Sequence, residues 1–502
     1  MKNMRYIKHI TAVLLCILMS SCNEFLTLTP HDTKVVSSVE DYRDILASFM
    51  RYLKTPTLPS QDVVMGVGLT TLPFYSSEVD GSLSIYTGEA NLTTESAYYY
   101  DRNNNVYTQT GKNSLTWLNT NNSAWNNIYS FLGPINLIIN GVETADGDDE
   151  NLRNRVLGEA LTWRAYAFYK LLQLYSPMKD DRLGIPVYLT PDKAIGEAMP
   201  ERKTQTEVFK QITDDCGRAL ELLTKTTNND WNYAWSTDFL NAMLADVYTW
   251  KACSGAAEDT DWQNAEQYAT TAMLGRNLTS SADILRTIFD CSDDEYSKEI
   301  KNDEFFIRIV DGRYTYICDF QYAYYEDGGV ADGLVNTKNY RKFADNDIRK
   351  KIWFSSDGTH NDKYNIMGSD MSQGCLMPFR LADMYLIKAE ALVRQGKTEE
   401  GKAILDEFRS HRYTGDVPTT VSDQTSLLKA IHDERFLEFY MEGDKVWLDM
   451  KRFGDTMERT IAGEKNTLAS DDFRYCFPIP ATEMEANKKM EQNPGWESVI
   501  VY

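Results

Sequence analysis

Phe379-Arg380-Leu381-Ala382-Asp383-Met384-Tyr385-Leu386-Ile387-Lys388-Ala389-Glu390-Ala391 is the stretch that decides the fold. Leu381, Met384, Tyr385, Ile387, Lys388, Ala391, Leu392 and Val393 return to one side at steps of three and four, the period of an amphipathic helix. Gly396 predicts its stop. A second helix is expected near Thr398 to Ser410, packing back through Ile404, Leu405 and Phe408. Two antiparallel helices on a short glycine-containing turn form one helical-hairpin unit.

Working outward, the next run is Ile431-His432-Asp433-Glu434-Arg435 through Gly443 to Trp447-Leu448-Asp449-Met450-Lys451-Arg452. Leu428, Ile431, Arg435 and Phe439 share one helical stripe, and Glu434, Glu438 and Glu442 share the next. Gly443 is the expected helix stop. An arginine in an apolar stripe needs acids, because buried charges persist only when paired. Glu438 and Asp449 are the expected partners of Arg435. Acid–base chemistry needs carboxylates opposed across a cleft, which one helix stripe does not offer. The hairpins read as units of the tetratricopeptide type.

Four spaced motifs then carry a resemblance. They are Arg380-x-Ala-Asp-x-Tyr-Leu-Ile-x-Ala-Glu-Ala, Glu434-Arg-x-x-Glu438-x-x-x-Glu442-Gly-x-x-x-Trp447-x-Asp449-x-Lys-Arg452, Phe477-Pro-Ile-Pro480 and Gln492-Asn-Pro-Gly495. In that order they resemble the SusD/RagB family, surface lipoproteins of Bacteroidetes that capture nutrients. The resemblance implies four tetratricopeptide-like units and a role that is not catalytic. It also implies a glycan or sometimes a peptide as ligand, and a SusC-like, TonB-dependent outer-membrane transporter as partner.

The N-terminus reads as an address. Lys2, Arg5 and Lys8 precede a short apolar run from Ile10 to Leu18, then Ser20, Ser21 and Cys22. The run is too short for a spanning helix. It resembles a bacterial lipoprotein signal, with Met19 where leucine is usual and the Cys22 thiol carrying the lipid. The signal would occupy residues 1–21, a tether 22–36, and a single SusD-like domain 37–502. Three cations and no acid fall in the signal, so its removal takes the net charge from -22 to -25. Such acidity excludes a nucleic-acid partner, since phosphate binding needs basic patches. The remaining cysteines are scattered without a CxxC pair, and histidines number 5 with none at metal spacing. No cofactor or metal is expected.

Helices are expected at Glu40 to Leu53, from Ser123 to Gly141, after an acid cluster at Asp146 to Glu150, at Thr204 to Leu223, at Thr237 to Lys251 and at Trp262 to Leu274. The acid cluster suits a helix N-terminus. Gly158-Glu159-Ala160-x-x-x-Arg164 through Tyr175 and Gly184-Ile-Pro-Val187 are also similar to the family, with Ser176 where glycine is usual. Glu304 to Ile309 alternates like a strand. Two long insertions, near 55–122 and 310–375, are irregular and aromatic. The fold class is therefore mostly α, a SusD-like scaffold of helical hairpins with irregular insertions and short strands.

A sugar ring has a C–H face that stacks on aromatic rings and a hydroxyl rim that needs polar partners. Tyr98, Tyr99, Tyr100 and Trp117 in the first insertion, and Tyr322, Tyr324 and Tyr325 in the second, are the candidate platform. Asp101, Arg102 and Asn103 are placed to read hydroxyls, with Trp231 and Trp235 as outside candidates. Any single ring here is more often packing than site. The expected function is a cell-surface lipoprotein that binds a glycan and delivers it to the transporter. A peptide-binding scaffold is the alternative. A secreted glycosidase comes third, since no GxSxG elbow, zinc signature or phosphate loop is present.

Overall fold

The computed structural model describes residues 36–50, 123–191, 199–227, 236–289, 302–311, 337–356, 363, 374–461 and 464–498. Helices α1 (Val39–Met50), α2 (Ser123–Gly141), α3 (Glu150–Tyr175), α4 (Gln205–Thr224), α5 (Thr237–Cys253) and α6 (Asp261–Ala272) come first. Then follow α7 (Ala282–Phe289), α8 (Thr337–Tyr340), α9 (Ile348–Trp353), α10 (Leu381–Arg394), α11 (Thr398–Ser410), α12 (Gln424–Phe439), α13 (Lys445–Phe453) and α14 (Ala481–Ala486). The fold is mostly α, as expected from the periodicity.

The starts of these helices follow from their caps. Asp149 accepts from Leu152 N, Ser236 from Phe239 N and Asp423 from Ser426 N, and Thr204 with Glu207 closes a full capping box. The acid cluster thus does open α3, with Asp149 as its cap. Gly396 ends the first hairpin helix at φ +80, a left-handed turn that favours glycine. At Ser176, where the family usually has glycine, the backbone is extended with φ -107, so no glycine is required.

The helices pack as a continuous array. α2 lies against α3, α3 against α4, α4 against α5, α5 against α6, α6 against α10 and α10 against α11, with α12 closing on α10 and α11. The step from α6 to α10 is not sequential: residues 273–380 lie between them in the chain. Helix α3 is the centre. Every residue from Val156 to Tyr175 is buried, so this stretch of the helix has no solvent face. A smaller apolar cluster sits inside the α10–α11–α12 group around Leu386, Val393, Leu405, Phe408 and Ile431.

The last motifs seal the end of α3. Phe477 N donates to Leu174 O at 2.8 Å, and Asn493 Nδ2 to Tyr175 O at 2.9 Å and Phe477 O at 2.6 Å. Gln492 exchanges two hydrogen bonds with the Ile479 backbone. Phe477-Pro-Ile-Pro480 and Gln492-Asn-Pro-Gly495 are therefore one structural unit, which satisfies helix carbonyls that would otherwise be orphaned.

Three expectations need correction. The 310–375 insertion is not irregular throughout: α8 and α9 lie inside it, and Arg349 and Trp353 of α9 are fully buried. Glu304 to Ile309 is not an alternating strand. Glu304, Phe305, Phe306, Ile307 and Arg308 are all buried, so the segment has no solvent face, and only Phe305 bridges, to Arg380. The strand proper is β1 (Ile309–Asp311), paired antiparallel with β2 (Gly374–Leu376). Likewise Gly443 does not end α12. The helix stops at Phe439, and Met441 takes a left-handed φ of 59 before Gly443 at 61. That early stop removes Glu442 from the helical stripe and turns its carboxylate onto Arg380 and Lys363. A hairpin of β3 (Met457–Ile461) and β4 (Glu464–Leu468) had no reading in the sequence.

Candidate functional site

The sequence-nominated residues Cys22, Tyr98, Tyr99, Tyr100, Asp101, Arg102, Asn103, Trp117, Trp231, Trp235, Tyr322, Tyr324 and Tyr325 lie outside the described residues. The framework from which the insertions leave is described. The first spans α1 to α2. The second departs at β1 and returns at β2, where Ile309 faces Leu376 and Asp311 faces Gly374. Its two ends are thus held side by side by a backbone ladder.

A buried network of ions centres on α12. The Glu438 carboxylate accepts from Arg380 Nη1 at 2.8 Å, Arg412 Nε at 2.9 Å and Arg349 Nη1 at 3.2 Å. Glu434 takes Arg349 and, at 2.9 Å, Arg409 Nε. Glu442 takes Arg380 Nη2 at 2.6 Å and Lys363 Nζ at 2.7 Å. Arg349, Arg380, Arg412, Glu434 and Glu438 have fully buried side chains. Burial alone pushes the Glu438 carboxyl up, but the guanidinium groups of Arg412, Arg380 and Arg349 outweigh it and hold it well below the carboxylate range.

A second group continues along α13. Arg435 Nε donates to Asp449 at 2.7 Å, one of its two expected partners; Glu438, the other, is taken up by three different arginines. Arg452 bridges Glu390 at 2.7 Å and Asp449 at 3.2 Å, and Lys445 reaches Asp383 at 2.7 Å. These acids carry the charge that keeps the arginines buried. They offer no free carboxylate pair to a substrate, so the stripe is scaffold, as its sequence pattern suggested.

One cleft opens onto this group, lined by Tyr166, Tyr169, Asp246, Trp250, Phe379, Arg435 and Asp449 among others. Burial raises the Asp246 carboxyl, and a hydrogen bond from Tyr169 at 2.6 Å counters it. The Nη1 of Arg435 has no hydrogen-bond partner among the described residues. The cleft has about 50 Å³ for solvent. A water needs roughly 10–15 Å³ on that measure, so a few waters fit. Sites for organic ligands run to roughly 300–1,000 Å³, so a sugar does not.

The arginines of the network were the part that sequence reasoning missed. Arg349 and Arg412 come from segments 89 and 26 residues from Glu438, and no spacing rule connects them. Only Arg380 stood in a quoted motif.

The array, the sealed C-terminal motifs and the ion network define a helical-repeat scaffold that carries long insertions. Comparison with known proteins gives that scaffold its family. The sequence model of the SusD family matches residues 201–496, more than half the chain. A second model, described as starch-binding associating with outer membrane, matches residues 75–249. This chain belongs to the SusD family.

Among its relatives is SusD-like protein P38 of Formosa agariphila, 23% identical over 74% of this chain and 78% of that protein. The starch-binding protein SusD of Bacteroides thetaiotaomicron is 32% identical over a shorter stretch, 24% of this chain and 21% of its own. A SusD-like carbohydrate binding protein of Bacteroides vulgatus superposes with a TM-score of 0.64 at 18% identity, covering 90% of this chain and 97% of that one. At that identity the superposition establishes the fold.

Proposed function

We propose that this protein captures a glycan at the cell surface and passes it to a SusC-like, TonB-dependent transporter. Membership of the SusD family over residues 201–496 is the observation that carries the reading. The second match, to a description that names starch binding and the outer membrane, supports ligand class and location. In this reading Cys22 carries the lipid, residues 22–36 form the tether, and residues 37–502 act as one domain. No described helix is long and apolar enough to cross a membrane.

Tyr98, Tyr99, Tyr100 and Trp117 with Tyr322, Tyr324 and Tyr325 form the stacking platform, and Asp101 and Arg102 read hydroxyls. In this reading the protein binds and does not cleave, consistent with Glu434, Glu438 and Glu442 being held by arginine and lysine.

A glycan array with the purified mature chain, followed by calorimetry, tests the ligand class. Reducing-sugar release from the bound polysaccharide would turn the reading toward hydrolysis, and tight peptide binding without glycan binding toward a peptide scaffold. Cys22→Ala with cell fractionation tests the anchor, and retention in the membrane fraction would sink it. Affinity capture from native membranes tests the partner, with a TonB-dependent barrel as the expected companion.

A further inference from the structure

Asp246 on α5 and Arg435 on α12 line the same cleft, yet no direct ion pair joins them among the described residues. Arg435 is 4% exposed, and its Nε is spent on Asp449 at 2.7 Å. Its Nη1 is buried and finds no acceptor among the described residues. A buried donor left open is costly, and native structures rarely keep one.

Asp246 has the complementary lack. Asp383, Asp444, Asp449 and Glu442, the other acids of the lining, each hold a lysine or an arginine. Asp246 holds neither among the described residues. Its Oδ2 accepts from Tyr169 at 2.6 Å, and no second hydrogen bond among the described residues reaches its carboxylate. Burial lifts this carboxyl, and Tyr169 and Arg435 both pull it back, so the guanidinium is within electrostatic reach though not in contact.

A donor without an acceptor and a half-satisfied carboxylate thus border one space of about 50 Å³. A water needs roughly 10–15 Å³ on that measure and two to four polar partners. Water can accept from a guanidinium and donate to a carboxylate at once. A metal or ammonium ion has nothing to accept with, and an anion is repelled by Asp246.

We propose that an ordered water bridges Arg435 Nη1 and the Asp246 carboxylate, a solvent-mediated ion pair that ties α5 to α12. A bridging water is enthalpically close to a direct hydrogen bond. With it, the acid on α5 joins the charge network of α12 and α13 through Arg435 and Asp449.

A crystal structure of the full mature chain, at a resolution that orders solvent, tests the bridge directly. Density for a water within about 2.7–3.2 Å of both Arg435 Nη1 and an Asp246 oxygen is expected. A direct Arg435–Asp246 contact would overturn the proposal, and so would a position without density. Anomalous signal at that position after sodium chloride is exchanged for rubidium bromide would overturn it too, by showing an ion there.

Thermal unfolding of Asp246→Ala, Arg435→Lys and the double variant gives a second measurement. Lysine keeps the positive charge and loses Nη1, so the through-space attraction largely cancels across the cycle. The melting-temperature loss from Asp246→Ala should be clearly smaller in the Arg435→Lys background than in the parent. Equal losses in the two backgrounds would overturn the bridge. Should the Arg435→Lys chain fail to fold, the crystal density decides alone.

Discussion

Glu438 is the residue on which most cations converge, and its charge state has a thermodynamic consequence. Its folded pKa is depressed well below the ordinary 4.5, so its contribution to stability is full above about that pH. The contribution is lost progressively as the pH falls from there through the folded value. Glu438→Gln should lower the melting temperature at pH 7, and the gap to the parent should narrow on acidification toward pH ~3. Removing the carboxylate leaves three buried guanidinium groups short of a partner. Loss of one partner in a buried pair typically costs about 3–5 kcal/mol. A gap that stays constant across the pH series would refute this account. Glu159 behaves oppositely. Burial lifts its carboxyl to about 7 against the pull of Arg155. An acid with a raised folded pKa contributes fully below its unfolded value, and the contribution disappears as the pH rises through 7. Glu159→Gln should therefore melt higher than the parent at pH 8 and equal to it near pH 4. Calorimetric scans at the two values check it, and a lower melting temperature at pH 8 would show that the Arg155 pair dominates. Among the described residues the two glutamates differ in ion-pair number, which the sequence does not display: Glu438 meets Arg349, Arg380 and Arg412, Glu159 Arg155 alone.

At the scale of elements the hairpins were legible because their signals are local. The α10–α11 unit needs a 3.6-residue apolar period, a glycine at φ +80 and a return helix, all within a short span of sequence. The start of α3 was legible from its acid cluster, and the α4 and α5 spans from their apolar period, for the same reason. The misread elements were those decided by distant partners. Phe305, Phe306 and Ile307 look half-exposed by alternation, but packing surrounds them on both sides. The end of α12 is expected at a glycine, whereas the helix stops at Phe439 and Glu442 then meets Arg380 and Lys363, two distant partners. Glycines within helices separate the two kinds of information. A Cβ at Gly401 on α11 would meet Val393 Cγ2 at 2.5 Å and Ala389 O at 2.8 Å on α10. A Cβ at Gly217 on α4 would meet nothing within 4 Å. Gly217→Ala should stabilise by roughly 0.5–1 kcal/mol through helix propensity alone. Gly401→Ala should destabilise, by roughly 1–3 kcal/mol for an overpacked contact. Denaturant midpoints of the two variants decide it, and a matched gain in both would mean that α10 and α11 can separate freely.

For the whole molecule, the proposed reading places scaffold and ligand site on different parts of the chain. The array, its charged interior and its C-terminal seal occupy the described helices, and the cleft among them has room for a few waters only. In the proposed reading the glycan is met by the two insertions, which the sequence marks by their aromatics. The scaffold was legible because packing imposes a period on it. The platform was legible only as composition, since a ring that binds a sugar and a ring that packs a loop look alike in sequence. The discriminating measurement is affinity in proteins that keep their fold. Tyr100→Ala, Trp117→Ala and Tyr324→Ala sample both insertions, and each removes one aromatic ring. Affinity of the parent for an array-selected glycan should fall around millimolar to micromolar, because an open platform buries little area. A ring that carries the platform should cost roughly tenfold or more on truncation, the size of an interface hot spot. Loss in Tyr100→Ala and Trp117→Ala alone would assign the site to the first insertion, and loss in all three would join the two insertions around one ligand. Unchanged affinity in every variant, with melting temperatures intact, would move the site off these loops.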